Sequence, residues 1–184
     1  MSNNHNIHKH LIEQSQRGDQ QAMKALYSAY AHAMYNICRR MMGEEEEAKD
    51  VLQDAFVDVF DKLGTLRDVG MFSSWIKRIV VNRCINAIRK KKIEIEEISE
   101  SMVVPAEEES NFDYTNFQAA QVLSAIDKLP KGCRTVLSLY LFEGYDHKEI
   151  GEILGVSESA SKAQYCKAKG KIRVMLGNES KRVG

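Results

Sequence analysis

Apolar residues recur along most of this chain at steps of three and four, the spacing that gathers them on one face of an α-helix. A first short helix from Ile7 ends near Gly18, and Asp19 is placed to cap the next. In that second helix the stripe is Met23, Leu26, Tyr27, Tyr30, Met34, Ile37, Cys38 and Met41, broken by Gly43. A third helix opens on Glu44, Glu45, Glu46 and Glu47, where negative charge suits the N-terminal end of the helix dipole. It buries Val51, Leu52, Ala55, Phe56, Val59, Phe60 and Leu63, and its opposite face carries Asp50, Gln53, Asp54, Asp58 and Asp61. After a loop with Gly64, Asp68 and Gly70 comes FSSWIKRIVVNRCINAIRKKK, with Ser73 or Ser74 as its expected cap. This helix is apolar over more than one stripe, through Trp75, Ile76, Ile79, Val80, Cys84, Ile85 and Ile88, interrupted by Lys77, Arg78 and Arg83.

The periodicity then stops. Residues 93–116 are acidic, hold Pro105 and keep no sustained period, which predicts a flexible linker. Helical spacing resumes near Phe117 with Ala120, Val122, Leu123, Ile126 and Leu129, and Pro130 stands at a position suited to a helix N-terminus. Val136, Leu137, Leu139, Tyr140, Leu141 and Phe142 follow, up to Gly144. No stretch alternates as a half-buried strand would, and no repeat is visible. The expected architecture is all-α: a tail over 1–6, a helical domain over 7–92, an acidic flexible linker over 93–116, and a second small helical domain over 117–184.

The last part of that second domain reads DHKEIGEILGVSESASKAQYCKAKGKIRVML. A short helix puts Ile150, Ile153 and Leu154 on one face. Gly155 stands where a left-handed C-cap is wanted, and Ser157 where a hydroxyl caps the next helix. The second helix points Ala160, Tyr165, Ala168, Ile172 and Met175 toward a core and offers Lys162, Gln164, Lys167, Lys169 and Lys171 elsewhere. This is the pattern of a DNA-binding helix-turn-helix. A helical hairpin with a solvated lysine face is the plainer alternative.

Charge changes the picture by its distribution. The 184 residues hold 26 basic and 26 acidic side chains and a net charge of zero. Residues 72–92 nevertheless contain seven basic residues and no acidic one, and 157–184 seven basic against two acidic. Residues 93–113 contain eight acidic residues and no basic one, and 43–61 eight acidic against Lys49 alone. Phosphate affinity follows the local potential over a face, not the sum over the chain. The pattern predicts two places that meet nucleic acid and an acidic face for a basic partner. Trp75 and Phe72 beside Lys77, Arg78 and Asn82 suit single-stranded bases that stack while cations hold phosphates; burial of the Trp75 ring in the core is the plainer alternative.

Other chemistry is scarce. Cys38, Cys84, Cys133 and Cys166 are scattered, form no CxxC pair, and are read as reduced and mostly buried. His5, His8 and His10 in a polar N-terminal stretch are read as solvated side chains, with no metal site. There is no phosphate loop, no HExxH and no compact nucleophile–base spacing, so neither catalytic residues nor a cofactor are expected. No apolar run approaches the roughly 20 residues of a spanning helix, and no signal-peptide core is present. The expectation is a cytoplasmic protein without membrane insertion.

In order, these segments resemble the extracytoplasmic-function (ECF) sigma factors, the small two-domain class of the sigma-70 family, from about Leu11 to Leu176. EEAKDVLQDAFVDVF is similar to the family's segment that docks on the clamp coiled coil of RNA polymerase. FSSWIKRIVVNRCINAIRKKK resembles the segment that melts and reads the minus-10 element. LPKGCRTVLSLYLFEGYDHKEIGEILGVSESASKAQYCKAKGKIR resembles the minus-35 reading domain. The resemblance implies polymerase contacts at Asp50, Gln53 and Asp54. It implies minus-10 contacts at Trp75, Lys77, Arg78, Asn82 and Arg83, with Leu66 and Arg67 in the neighbouring loop. For the minus-35 element it implies Ser157, Glu158, Lys162, Gln164, Lys167 and Lys169.

The chain departs from the family where Ser159, Ala160 and Ser161 replace a common Gly-Thr-Val, and where Gln164, Lys167 and Lys169 replace common arginines. Lysine lacks the bidentate fork that arginine offers guanine, so readout is expected to lean on backbone position and DNA shape. The function implied is a non-enzymatic initiation factor that directs core RNA polymerase to promoters. The alternative is a stand-alone helix-turn-helix regulator. Core RNA polymerase and promoter DNA are the expected partners, with an anti-sigma factor as a partner that family members often have. The free protein is expected to be a monomer, since no long heptad seam is present.

Overall fold

The computed structural model describes the backbone of residues 2–90 and 119–180, and side chains over 8–90 and 119–177. Among the described residues every regular element is helical: α1 Ser2–Gln16, α2 Gln20–Met42, α3 Glu45–Lys62, α4 Phe72–Lys90, α5 Ala119–Asp127, α6 Lys131–Leu141, α7 His147–Leu154 and α8 Glu158–Ser180. Two 3-10 turns, Leu63–Thr65 and Val69–Met71, join α3 to α4. The chain divides into two compact units, Met1–Ala87 and Ile88–Gly184. The expected linker over 93–116 falls outside the described residues.

Local chemistry sets most boundaries. The Asp19 carboxylate accepts from Gln21 N at 2.8 Å and Ala22 N at 3.1 Å, satisfying two of the amides that a helix start leaves open, a cap worth about 1 kcal/mol. Gly43 stops α2 with φ 84°, donating its N–H to Arg39 O. Glu45, Glu46 and Glu47 occupy the first turn of α3, and Lys49 reaches both Glu45 and Glu46 at 2.9 Å.

Two boundaries differ from the sequence reading. The backbone is helical from Ser2, inside the stretch read as a tail, since nothing before Gly18 breaks a helix. α4 begins at Phe72, continuing from the 3-10 turn that Asp68 caps by accepting from Gly70 N at 2.9 Å. Ser73 and Ser74 are therefore already inside the helix and cap nothing. The first compact unit ends at Ala87, and residues 91–92 lie outside the described residues.

The first unit packs α1, α2, α3 and α4 around Leu26, Ile37, Met41, Val51, Phe56, Val59, Phe72, Ile76 and Val80, all buried. Fully burying such side chains contributes about 1.5–3 kcal/mol each. A train of rings crosses it from α1 to α4, with His8–Tyr30 centroids 5.5 Å apart, Tyr30–Phe72 5.0 Å and Phe72–Trp75 5.9 Å. The α3–α4 connection is pinned from α1, where Gln16 Nε2 donates to Leu63 O at 3.0 Å and Leu66 O at 2.9 Å.

The second unit buries Ala125, Ile126, Leu129, Cys133, Leu137, Ala168, Ile172 and Leu176 together, with Val122, Tyr165 and Met175 against them. Arg134 is buried and donates from Nη1 to the carbonyls of Asp127 at 3.0 Å and Leu129 at 3.2 Å. It thereby closes the C-terminal end of α5, whose last carbonyls have no helical partner.

Candidate functional surfaces

The outward row of α3 is Asp50, Gln53, Asp54, Val57 and Asp61, all exposed. At steps of three and four they share one face. Val57 is 60% exposed amid the carboxylates, which makes a small apolar centre in an acidic rim. Asp58, one position further round, is half-buried and turns toward α4 instead.

On α4 the outward row is Ser74, Trp75, Arg78, Asn82 and Asn86, with exposed Met71 just before it. Arg78, Asn82 and Asn86 are exposed, while Trp75 is half-buried with its ring tilted 39° against Phe72. Lys77 is half-buried at the side of this row. The row therefore runs from an aromatic through a guanidinium to two amides. An amide both donates and accepts, which is what a base edge requires. Asn86 was missed in the sequence, although its place one turn beyond Asn82 was the available signal.

Arg83 does not join that row. Its Nε and Nη2 both hydrogen-bond the Asp58 carboxylate, with Nη2–Oδ1 at 2.7 Å, so its planar fork is committed to α3. The arginine's hydrogen bonds in turn hold the Asp58 carboxyl below the usual carboxylate range. The structure thus places Arg83, expected to contact DNA, in an ion pair with α3. Leu66 is half-buried in the pinned loop and Arg67 is exposed.

A cavity of about 320 Å³ lies behind the N-terminal end of α4, lined by His8, Lys9, Ile12, Tyr30, Val69, Gly70 and Ser73. His8 Nδ1 lies 3.1 Å from Tyr30 Oη, which lies 3.3 Å from Ser73 Oγ. His8 is thus engaged with a phenol, and the described residues include no cluster of His, Cys, Asp or Glu able to hold a metal ion.

The third surface is α7, the turn and α8. Asp146 and Glu149 form a reciprocal capping box, with Asp146 Oδ1 accepting from Glu149 N and Glu149 Oε2 accepting from Asp146 N, both at 2.8 Å. Gly155 closes α7 in the left-handed region at φ 73°, ψ 33°, and Ser157 Oγ accepts from Ala160 N at 3.1 Å. The turn is tight. A Cβ on Gly151 would lie 2.8 Å from Val156 O and 3.4 Å from Glu158 N.

Along α8 the buried seam is Ser161, Gln164, Ala168, Ile172 and Leu176. Ser157, Glu158, Ser159, Lys162, Cys166, Lys171 and Val174 are exposed, and Lys167 and Lys169 half-buried. Gln164 is only 4% exposed and accepts from Cys133 Sγ at 3.0 Å, so its expected place on the DNA-facing side is corrected. Ala168 and Ile172 face the core as expected, with Tyr165 and Met175 against it, and the same face carries Ser161 and Gln164 inward with them. Lys162 Nζ meets Glu158 Oε1 at 2.6 Å, and Lys169 Nζ stands 5.1 Å from the Tyr165 ring centre. Behind the helix His147 stacks on Tyr140 with centroids 4.5 Å apart, and its Nδ1 lies 3.0 Å from Ser161 Oγ. Burial, then nearby Lys162, pushes the His147 pKa below its ordinary value, against smaller opposing effects of Glu158 and Asp146.

The two units coincide with two family models: sigma-70 region 2 matches residues 26–93, and sigma-70 region 4 matches residues 119–172. The ECF RNA polymerase sigma factor SigW of Bacillus subtilis is 28% identical, over 91% of this chain and 96% of that relative. The chain belongs to the ECF sigma factors of the sigma-70 family. SigM of Mycobacterium tuberculosis, another ECF RNA polymerase sigma factor, is 27% identical over 87% of this chain and 80% of its own length. Among solved structures, CnrH in complex with the cytosolic domain of CnrY aligns with 93% of this chain and 97% of that chain, at 23% identity and a TM-score of 0.47. In family terms, α2, α3 and α4 carry region 2, and α5 to α8 carry region 4. No helix among the described residues is long and apolar enough to cross a membrane.

Proposed function

We propose that this sigma factor docks on core RNA polymerase through the α3 row, opens and reads the minus-10 element through the α4 row, and reads the minus-35 element through α8. The observation that carries this reading is the separation of charge between α3 and α4. Asp50, Gln53 and Asp54 point outward on one helix, and Arg78, Asn82 and Asn86 on the other. One helix suits a basic protein surface and the other suits single-stranded DNA. At the minus-35 element Glu158, Ser159 and Lys162 at the start of α8 would enter the major groove, with Lys167 and Lys169 nearer the phosphates. The flipped bases cost a few kcal/mol to unstack, which Trp75 stacking and Arg78 phosphate contact offset.

On this reading the protein transfers no group and supplies specificity alone, in the compartment where polymerase works. SigW, SigE and SigM carry the name of RNA polymerase sigma factors. An anti-sigma factor is the inhibitory partner that this reading allows for. A regulator of that kind would cover the α3 and α4 rows.

The test is competition for core polymerase against a labelled reference sigma factor. Wild-type protein is expected to displace the reference and Asp54→Lys to fail, while Lys162→Ala competes as wild type does. Failure of the wild type to compete, together with specific duplex binding by the protein alone, would favour a stand-alone regulator.

A further inference from the structure

We propose that Asp58 and Arg83 are a positioning pair that fixes the register of the DNA-reading helix α4 against the polymerase-facing helix α3. The proposal rests on the functional reading above. It assigns to Arg83 a role other than touching DNA, and to Asp58 a role other than touching polymerase.

The geometry is that of a clamp between two working faces. Asp58 stands one turn beyond Asp54 on α3, and Arg83 is the residue next to Asn82 on α4. Both hydrogen-bonding edges of the guanidinium on this side, Nε and Nη2, meet the two carboxylate oxygens. A two-point contact between planar groups fixes distance and rotation together, which a single point charge does not. The side chains are 18% and 37% exposed, and Lys62 Nζ stands 3.6 Å from Asp58 Oδ1 as a weaker second cation.

The remainder of the inward face of α4 is Phe72, Ile76, Val80, Val81, Cys84 and Ile85, all buried and apolar. Apolar burial is non-directional, and cores tolerate small shifts of packing at modest cost. Such a face sets the coarse phase of α4 but leaves small rotations and shifts at modest cost. Even a small rotation of the helix about its axis would move Asn82 and Arg78 away from their outward positions. The bidentate pair is the feature that opposes this rotation. A partly exposed ion pair contributes little to overall stability. Its effect therefore falls on orientation, and so on strand opening, more than on folding.

Three variants separate the possibilities: Asp58→Asn, Arg83→Gln, and the exchanged pair Asp58→Arg with Arg83→Asp. Each is assembled as full-length protein with core polymerase on a promoter that the wild type opens. The readouts are permanganate reactivity of melted thymines, competition for core polymerase, and the thermal midpoint of the free protein. The positioning role predicts that both single variants lose strand opening by about tenfold, as expected for coupled contacting residues. Core affinity and thermal midpoint should stay near wild type, and the exchanged pair should recover most of the opening.

Loss of opening in Arg83→Gln but not in Asp58→Asn, without rescue by exchange, would overturn the proposal in favour of a direct phosphate contact. Parallel losses of midpoint and core affinity in both singles would reduce the pair to a structural contact. Unchanged behaviour in all three variants would dismiss it. Absence of melting by the wild type at every promoter would instead count against the functional reading itself.

Discussion

Gly151 and Gly170 both sit inside helices of region 4, yet alanine at the two positions should act with opposite sign. In an unconstrained helix interior, Gly→Ala is stabilising by about 1 kcal/mol because it restricts the unfolded chain. Nothing stands within 4 Å of a Cβ built on Gly170, so Gly170→Ala should realise most of that gain. At Gly151 the same atom would meet Val156 O at 2.8 Å. That carbonyl belongs to a backbone turn held on three sides: by Val156 N donating to Gly151 O at 3.0 Å, by left-handed Gly155 and by the Ser157 cap. The turn has no flexible side chain to move aside. Overpacking of this kind costs about 1–3 kcal/mol, which cancels the gain and leaves a net loss of up to about 2 kcal/mol. For a unit of this size, each kcal/mol corresponds to about 4–8 °C in melting midpoint. The assay uses two probes. Circular dichroism follows helices in both units, whereas fluorescence of Trp75, the only tryptophan, reports region 2 alone. Gly151→Ala should lower the dichroism transition belonging to region 4 and leave the Trp75 transition in place, and Gly170→Ala should raise the former. A Gly151→Ala protein as stable as Gly170→Ala would refute the close approach of α7 to the turn.

His147 has a folded pKa below its ordinary 6.5 because burial disfavours the imidazolium. Its contribution to region 4 stability is therefore intact above that value and is lost as pH falls from it toward the folded pKa; melts between pH 7.5 and 5 should show the loss in wild type and not in His147→Phe. Arg134→Ala leaves the carbonyls of Asp127 and Leu129 without their buried donor and should destabilise region 4 by about 2–3 kcal/mol, read by denaturant titration. Gln164→Ala should lower region 4 stability while leaving promoter preference unchanged, since the side chain lies in the core; an altered minus-35 preference in a promoter library would contradict this. Lys167→Ala, nearer the phosphates on this reading, should weaken duplex binding across sequences and reduce the slope of log affinity against log salt by about one.

The all-α fold and the helix ends were legible because their causes are local. Asp19, Gly43, Pro130, Gly155 and Ser157 act on amides and carbonyls within a few residues of themselves, and their chemistry is written beside the helix it bounds. What escaped involves residues far apart in the chain. Nothing near Arg83 announces that its partner is Asp58, 25 residues earlier. Its sequence neighbourhood, a basic helix with an adjacent Asn, pointed to DNA. Gln164 was misplaced for a related reason: a polar residue in a lysine-rich stretch reads as surface until Cys133 is seen to donate to it. The inward phase of α8 was legible in Tyr165, Ala168, Ile172 and Met175, but nothing in the spacing said that polar Ser161 and Gln164 would lie on the same buried face. Gly151 carries no local signal of its tight contact, because the atoms that crowd it arrive only after the chain has turned.

The central claim is that one chain couples polymerase docking on α3 to promoter reading on α4 and α8. It is tested most directly by transcription from genomic promoter fragments with purified core RNA polymerase, with and without this protein, mapping start sites. The account predicts new, defined start sites with wild-type protein, their disappearance with Asp54→Lys, and weaker use of the same sites with Lys162→Ala. No new start sites with wild type, or start sites that survive Asp54→Lys unchanged, would contradict it.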